Sequence, residues 1–404
     1  MDITAPPDRI TTLTLYPMTD LAEELETNVE KYGFFKHWLK RLRRALSSIF
    51  SFGSLVVLLA LLTAIPVVQL IAFGYLLDVS GRLKNGCKLR DSLPKMHQAG
   101  IVGLAALAII IAAIPSQLLT HWESVAHIID ADSRQAVLLR GAAIASSVLA
   151  TLYLLWAWIR GGSLKCYLWP QPKRFFSEGW RWSTWKNAPD QLWNFTTAFE
   201  LPRYFWLGLR GAVGTLVWLA PTIVIILAFR EGESGLAGLI GFLAILCLAF
   251  SLFYLPLLQA HFAAENRLSA IFERKKVRQL FSAAPWAIFL AMVFALFITP
   301  IPLYLLKIEA TPREVVWLPC LLFIAFILPA RIAIGLAMRR AERKTIRPTF
   351  VGKASRFLAR IGIGSVVAIY VLFVYVSQYT SWDGLLTWVQ QHAILIPVPF
   401  LNGT

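Results

Sequence analysis

Charge is scarce in this chain of 404 residues: 15% are Asp, Glu, Lys or Arg, where soluble globular proteins carry about 25%. Acids are the scarcer sign, 23 against 39 Lys and Arg. The four cysteines (Cys87, Cys166, Cys247 and Cys320) show no CxxC spacing, and the six histidines form no HExxH pattern. A disulfide framework and a structural zinc site are therefore not expected. GxGxxG, GxxxxGK[ST] and GxSxG are missing as well, and with them the phosphate-cradling loops and nucleophile elbow that those patterns build. No nucleophile, base or metal ligand set can be assembled, so no catalytic residue, cofactor or metal is expected and the chain reads as a non-enzyme. Soluble, disordered and fibrous classes are excluded by the same composition.

What is present is apolar. Hydrophobic residues make up 57% of the chain and aromatics 13%, with a mean hydropathy of +0.62. A bilayer-spanning helix needs about 20 mostly apolar residues. Eight blocks meet or approach that length, at 51–78, 100–120, 136–159, 205–229, 236–263, 285–306, 315–338 and 358–378. Backbone groups in lipid must bond internally, which makes these blocks helices. The fold class is all-α: a polytopic integral membrane protein with seven transmembrane helices, a proline-broken half-penetrating hairpin and interfacial amphipathic helices.

Orientation follows the basic residues. Segments 31–50, 79–99, 160–204, 264–284 and 339–357 hold 30 of the 39 Lys and Arg. The alternate segments hold only Arg134, Arg230, Lys307 and Arg313, together with eight acids. The basic segments are expected in the cytoplasm and the C-terminus outside, in a plasma or inner membrane. The net charge of +16 is then a topology signal, and nucleic acid is not an expected partner.

Both ends of block 51–78 are basic, which one crossing cannot satisfy. Pro66 lies near its middle, and proline breaks or kinks a helix. The block is expected to dip in and return as two half-helices; the alternative is a single crossing with the N-terminus outside. Residues 1–30 carry seven acids and no early apolar core, so they read as an acidic flexible tail rather than a signal peptide. In 31–50, Phe35, Trp38, Leu39, Leu42, Leu46 and Ile49 recur at helical spacing opposite Lys36, Lys40, Arg43 and Arg44. That pattern predicts an interfacial helix attracted to anionic lipid head groups. The expected organisation is the tail, this helix, a transmembrane domain over 51–378, and an extracytoplasmic tail over 379–404.

Two stretches look alike. Ala64-Ile65-Pro66-Val67-Val68-Gln69 and Tyr254-Leu255-Pro256-Leu257-Leu258-Gln259 each precede a basic loop and a helix, closing at Ile114-Pro115 and Ile301-Pro302. Duplication produces such a pair, and so does the easy resemblance of apolar segments. Ile65-Pro66 through Gly74-Tyr75-Leu76-Leu77, and Leu255-Pro256-Leu257-Leu258 with Phe262-Ala263-Ala264-Glu265 and Ala270-Ile271-Phe272, also carry a family resemblance. Over 35–120 and 205–300 the chain resembles a domain-of-unknown-function family of bacterial and archaeal polytopic membrane proteins. The family has no established activity, so the resemblance implies the membrane architecture and assigns no site residue. A more distant likeness, in architecture only, is to CysZ-type sulfate permeases.

Polar groups within hydrocarbon are costly and mark function by default. Gln69 and Gln259 each follow a proline inside an apolar run, and Arg331 follows Pro329. The functional expectation is that these three converge on a substrate or lipid at mid-membrane. The plainer one is that they bond carbonyls or neighbouring helices. His261 and Glu265, with Arg267 beside them, are spaced for a proton relay or simply for a charged helix end. The basic loop 160–204 concentrates tryptophan, and Trp180, Trp182 and Trp185 are its candidate docking residues for a cytoplasmic protein partner. The functional expectation is a channel, permease or transport accessory, with a scaffold working through this Trp-rich loop as the alternative. Oligomeric state is not legible.

Overall fold

The computed structural model describes residues 18–130, 133–169, 171–178, 181, 186, 188–228, 236–300, 317–346 and 349–378. Trp180, Trp182, Trp185 and the tail 379–404 lie outside the described residues. The chain divides into two units, Met1–Phe50 and Ser51–Thr404.

Helix α1 is Met18–Ala64. It starts inside the acidic segment, and its residues Trp38, Leu39, Leu42, Leu46 and Ile49 are exposed. After α1 come α2 (Gln69–Lys84), α3 (Met96–Ile129), α4 (Arg134–Ile159), the short α5 (Leu164–Leu168) and α6 (Pro172–Glu178), and α7 (Ala188–Thr197). Then follow α8 (Leu201–Ala228), α9 (Leu236–Glu265), a 3₁₀ turn at Leu268–Phe272, α10 (Arg274–Ala283), α11 (Pro285–Val293) with a π turn at Phe294–Ile298, α12 (Trp317–Glu342) and α13 (Phe350–Gln378).

The fold is an all-α multi-pass membrane protein. Among the described residues, seven helical stretches are long and apolar enough to cross a bilayer: His37–Ala64, Met96–Ile129, Arg134–Ile159, Leu192–Ile225, Gly241–Glu265, Trp317–Glu342 and Phe350–Val374. Two details differ from the expected set. The stretch ending α1 reaches spanning length by itself. Block 285–306 begins instead as α11 and its π turn, bent by 108° from α10. Pro285 sits at the start of α11, where its missing N–H costs nothing and its fixed φ suits the first turn of a new helix. The outer surface is apolar, with Ile109, Ile110 and Ile111 of α3 and Val148 and Leu149 of α4 exposed, as lipid contact requires.

Pro66 and Pro256 act differently. Pro66 ends α1, and Val67 then takes a positive φ of 69°. The Gln69 N–H reaches the Ile65 carbonyl at 3.0 Å and restarts the chain as α2. Pro256 lies inside the unbroken α9. The two similar stretches therefore share sequence without sharing local structure.

Helix α2 occupies the centre of the second unit. Every residue from Ala72 to Gly81 is buried, against α8, α9 and α12. A cylinder enclosed on several sides needs close approaches. A Cβ added at Gly74 would strike the Tyr204 carbonyl of α8, and one added at Gly208 would strike the Leu70 carbonyl of α2. Without a hydrophobic drive between helices in lipid, such small-residue contacts carry the packing. Gly208→Leu is expected to destabilise by about 3 kcal/mol or more. Gly141→Ala, at a helix site with open space around the added Cβ, should stabilise by about 0.5–1 kcal/mol. Thermal melts in detergent check both, and equal melts for the two variants would contradict the close α2–α8 crossing.

Candidate functional site

Two polar layers cross the second unit. The first joins segments that are distant in sequence and that the charge count placed on one side. At the end of α2, the buried Asp78 carboxylate pairs with Arg82 Nε at 2.5 Å and with Arg203 Nη2 of α8 at 3.3 Å. Arg203 also holds Glu200 at 2.8 Å, which in turn takes Lys95 Nζ at 2.7 Å. Lys84, at 2% side-chain exposure, sits between Glu265 of α9 (3.4 Å) and Glu342 of α12 (3.1 Å). Arg339 donates to the Cys87 carbonyl, and Asn85 to that of Ala264. A buried ammonium with two carboxylate partners is satisfied where it stands, and removing it would leave like charges facing one another.

His261 is also buried. Its Nε2 lies 2.9 Å from Glu273 Oε2, and its Nδ1 lies 3.9 Å from Glu265. Arg267 lies 3.0 Å from the other Glu273 oxygen. The hydrogen bond to His261 chiefly, with Arg267 beside it, holds the Glu273 carboxyl below its ordinary value of 4.5. The structure thus gives His261 a partner across the turn, Glu273, closer than Glu265, its neighbour on the helix.

The second layer lies deeper. Arg331 of α12 is 1% exposed and Gln259 of α9 is 0% exposed. Arg331 Nη1 donates to Gln259 Oε1 at 2.7 Å. Gln259 Nε2 donates to Thr215 Oγ1 of α8 at 2.6 Å, and that hydroxyl donates to the Gly211 carbonyl at 2.8 Å. Since a guanidinium can only donate, the amide orientation follows from its partners. The guanidinium also stands over the Phe73 ring of α2 at 5.6 Å, within cation–π range. Four helices thereby meet on one polar chain. Eleven residues separate Arg331 from Glu342, about 16 Å along the helix, or about half a hydrocarbon core of roughly 30 Å.

Two of the three polar candidates are thus brought together, and the third is not. Gln69 is half-buried at the start of α2, and its side chain makes no hydrogen bond among the described residues. Its grouping with Gln259 rested on local likeness, which the differing behaviour of Pro66 and Pro256 undoes. The docking candidates Trp180, Trp182 and Trp185 lie outside the described residues. Asp78, Lys84, Glu200, Glu273 and Glu342 were missed from sequence. For Glu200, Glu273 and Glu342 the signal was an acid within an otherwise basic segment, whereas Asp78 closes the apolar block 51–78 and Lys84 is one of the basic residues of 79–99.

One family model matches part of the chain. Residues 190–308 match DUF4013, a protein family of unknown function. The DUF4013 match contains the resemblance over 205–300, while the one over 35–120 falls outside it. It takes in Thr215, Gln259, His261 and Glu273; Lys84 and Arg331 are outside. No curated protein and no solved structure matches the chain.

Lys84→Met is expected to cost about 1–3 kcal/mol, less than a fully buried pair because both carboxylates are partly exposed. Detergent melts read it directly, and an unchanged melting temperature would remove the layer from the stability account. Because the folded Glu273 carboxyl titrates below its unfolded value, its contribution is complete above pH 4.5 and is lost as pH falls through the lowered folded value. The melting-temperature gap between wild type and Glu273→Gln should therefore be constant near neutrality and close in acid. A gap that widened in acid would reverse the sign.

Proposed function

We propose that this is a non-enzymatic transport protein of the membrane, a channel, permease or transport accessory, acting on a small anion at the Gln259–Arg331 pair. One observation carries the reading: a guanidinium is held by a side-chain amide at mid-depth among apolar helices. A fixed charge there is costly, and intramembrane arginines face pathways or bound ligands by default. Arginine also suits oxyanions, which its planar fork of donors matches. The pair is closed to solvent in this conformation, so the reading requires α12 to part from α8 and α9 during turnover. The basic ends supply a positive field that concentrates anions at the entrance.

The experiment is anion flux into proteoliposomes, with sulfate, phosphate and chloride as probes. The expected result is uptake of at least one probe above empty vesicles. Replacing both members of a buried polar pair by apolar residues is often close to neutral for stability. Gln259→Leu with Arg331→Met should therefore retain the fold, by melting temperature, and lose the flux. Flux unchanged in that double variant, or no flux of any probe through the wild type, would reject the reading.

A second reading, a scaffold recruiting a protein through segment 160–204, is favoured by the exposure of Trp169, Phe176 and Trp193. Aromatics of this kind anchor interfaces. Co-purification of a stoichiometric protein, lost in Trp169→Ser with Trp193→Ser, would support it over transport.

A further inference from the structure

The elbow between α10 and α11 encloses a cavity that neither polar layer uses. Its volume is about 510 Å³, and Arg340, Arg343, Lys344 and Arg356 are in its wall. No carboxylate is among the described lining residues, although carboxylates partner cations of the ionic layer. The Trp286 indole N–H donates to Ser355 Oγ at 2.9 Å across the same space. That contact leaves the serine its own hydrogen to donate.

Two helices begin here. Pro285, Trp286 and Ala287, the first turn of α11, line the cavity, as do Gly352 and Ser355 from the first two turns of α13. Helix starts carry unpaired N–H groups and a partial positive charge. Thr349 accepts the Gly352 N–H at 3.3 Å. The cavity thus gathers Arg340, Arg343 and Lys344 beside two helix amino ends, with no carboxylate among its described lining residues. Two large apolar side chains of its lining, Leu290 and Trp286, are exposed.

We propose that this elbow cavity binds a phosphate group, carried by an anionic phospholipid headgroup or by free phosphate. The chemistry is that of several guanidinium and ammonium donors converging on one polyoxyanion. The rim of Trp286 and Leu290 would receive acyl chains, since tryptophan sits at the headgroup level. The site is separate from the Gln259–Arg331 pair and stands or falls independently of transport.

The test is native mass spectrometry of the full chain in detergent, titrated separately with phosphatidylglycerol, phosphatidylcholine and inorganic phosphate. The expected result is one phosphatidylglycerol retained at least about tenfold more tightly than phosphatidylcholine, weakened about tenfold in each of Arg343→Gln and Lys344→Gln. Lys165→Gln with Lys173→Gln, which removes charge from exposed residues elsewhere, should leave binding intact. Ser355→Phe places a ring in the cavity and removes the Ser355 hydroxyl with the charge unchanged, and should weaken binding at least as much as Arg343→Gln or Lys344→Gln. Arg343→Gln and Lys344→Gln alter exposed side chains, so folding is expected to survive in both, and the melting temperature verifies it for all the variants. If inorganic phosphate binds in a saturable way and displaces the lipid, the source is free phosphate and the same site is supported. Equal retention of the two lipids without phosphate binding overturns the proposal. So does binding that tracks net charge in the Lys165 and Lys173 control, or binding left unweakened by Ser355→Phe.

Discussion

The close crossing of α2 and α8 at Gly74 and Gly208 governs much of what surrounds it. In water, a helix buried on several faces would be driven inward by its apolar side chains. In lipid that drive is absent, and packing must come from van der Waals contact at short range. Two glycines that each face the other helix's backbone supply this contact. The depth of α2 in turn places Phe73 under the Arg331 guanidinium and carries Asp78 and Lys84 to the ends of α8, α9 and α12. Widening the crossing by one side chain would shift both polar layers, because both are built partly on α2.

The two layers differ in what they contribute. At the helix ends the carboxylates of Glu265 and Glu342 keep about a third of their surface exposed, so water screens these pairs and each contributes modestly. Their value is geometric. Helix ends far apart in sequence are fixed in register by groups that cannot slide without losing a partner. At mid-depth the balance reverses. Desolvating a guanidinium costs several kcal/mol, and each hydrogen bond to a charged group returns about 1.5–3 kcal/mol. A stability argument alone would favour leucine and methionine at Gln259 and Arg331. The cost of placing a guanidinium at this depth is the physical reason for proposing a role for it beyond the fold.

Much of the architecture was legible in the sequence, for reasons that can be named. Hydrocarbon thickness sets helix length, so apolar blocks map onto spans with little dependence on tertiary context. Pro66 was readable as a break because proline removes a donor wherever it stands. The same rule applied to Pro256 gave a false parallel, since a proline inside a long apolar helix is accommodated by its neighbours. Gln259 and Arg331 were each conspicuous as polar residues in apolar runs, but the bond between them spans 72 positions and no local pattern encodes it. The ionic layer was hidden for the same reason. Lys84 and Glu265 are 181 positions apart, and each alone is an ordinary charge near a helix end.

The elbow cavity shows a further limit of reading charge along the chain. Counting Lys and Arg by segment treats 264–284 and 339–357 as two equivalent topology signals. In the folded chain they have different fates. Part of that charge is consumed: Arg267 is held by Glu273 and Arg339 by a carbonyl. Arg340, Arg343 and Lys344 instead line a cavity with no acid among its described lining residues. A topology signal is satisfied wherever such cations stand on the correct side, so orientation alone does not account for gathering them around one space between two helix starts. That asymmetry between neighbouring basic residues is visible only once the 108° bend has brought α11, α12 and α13 together.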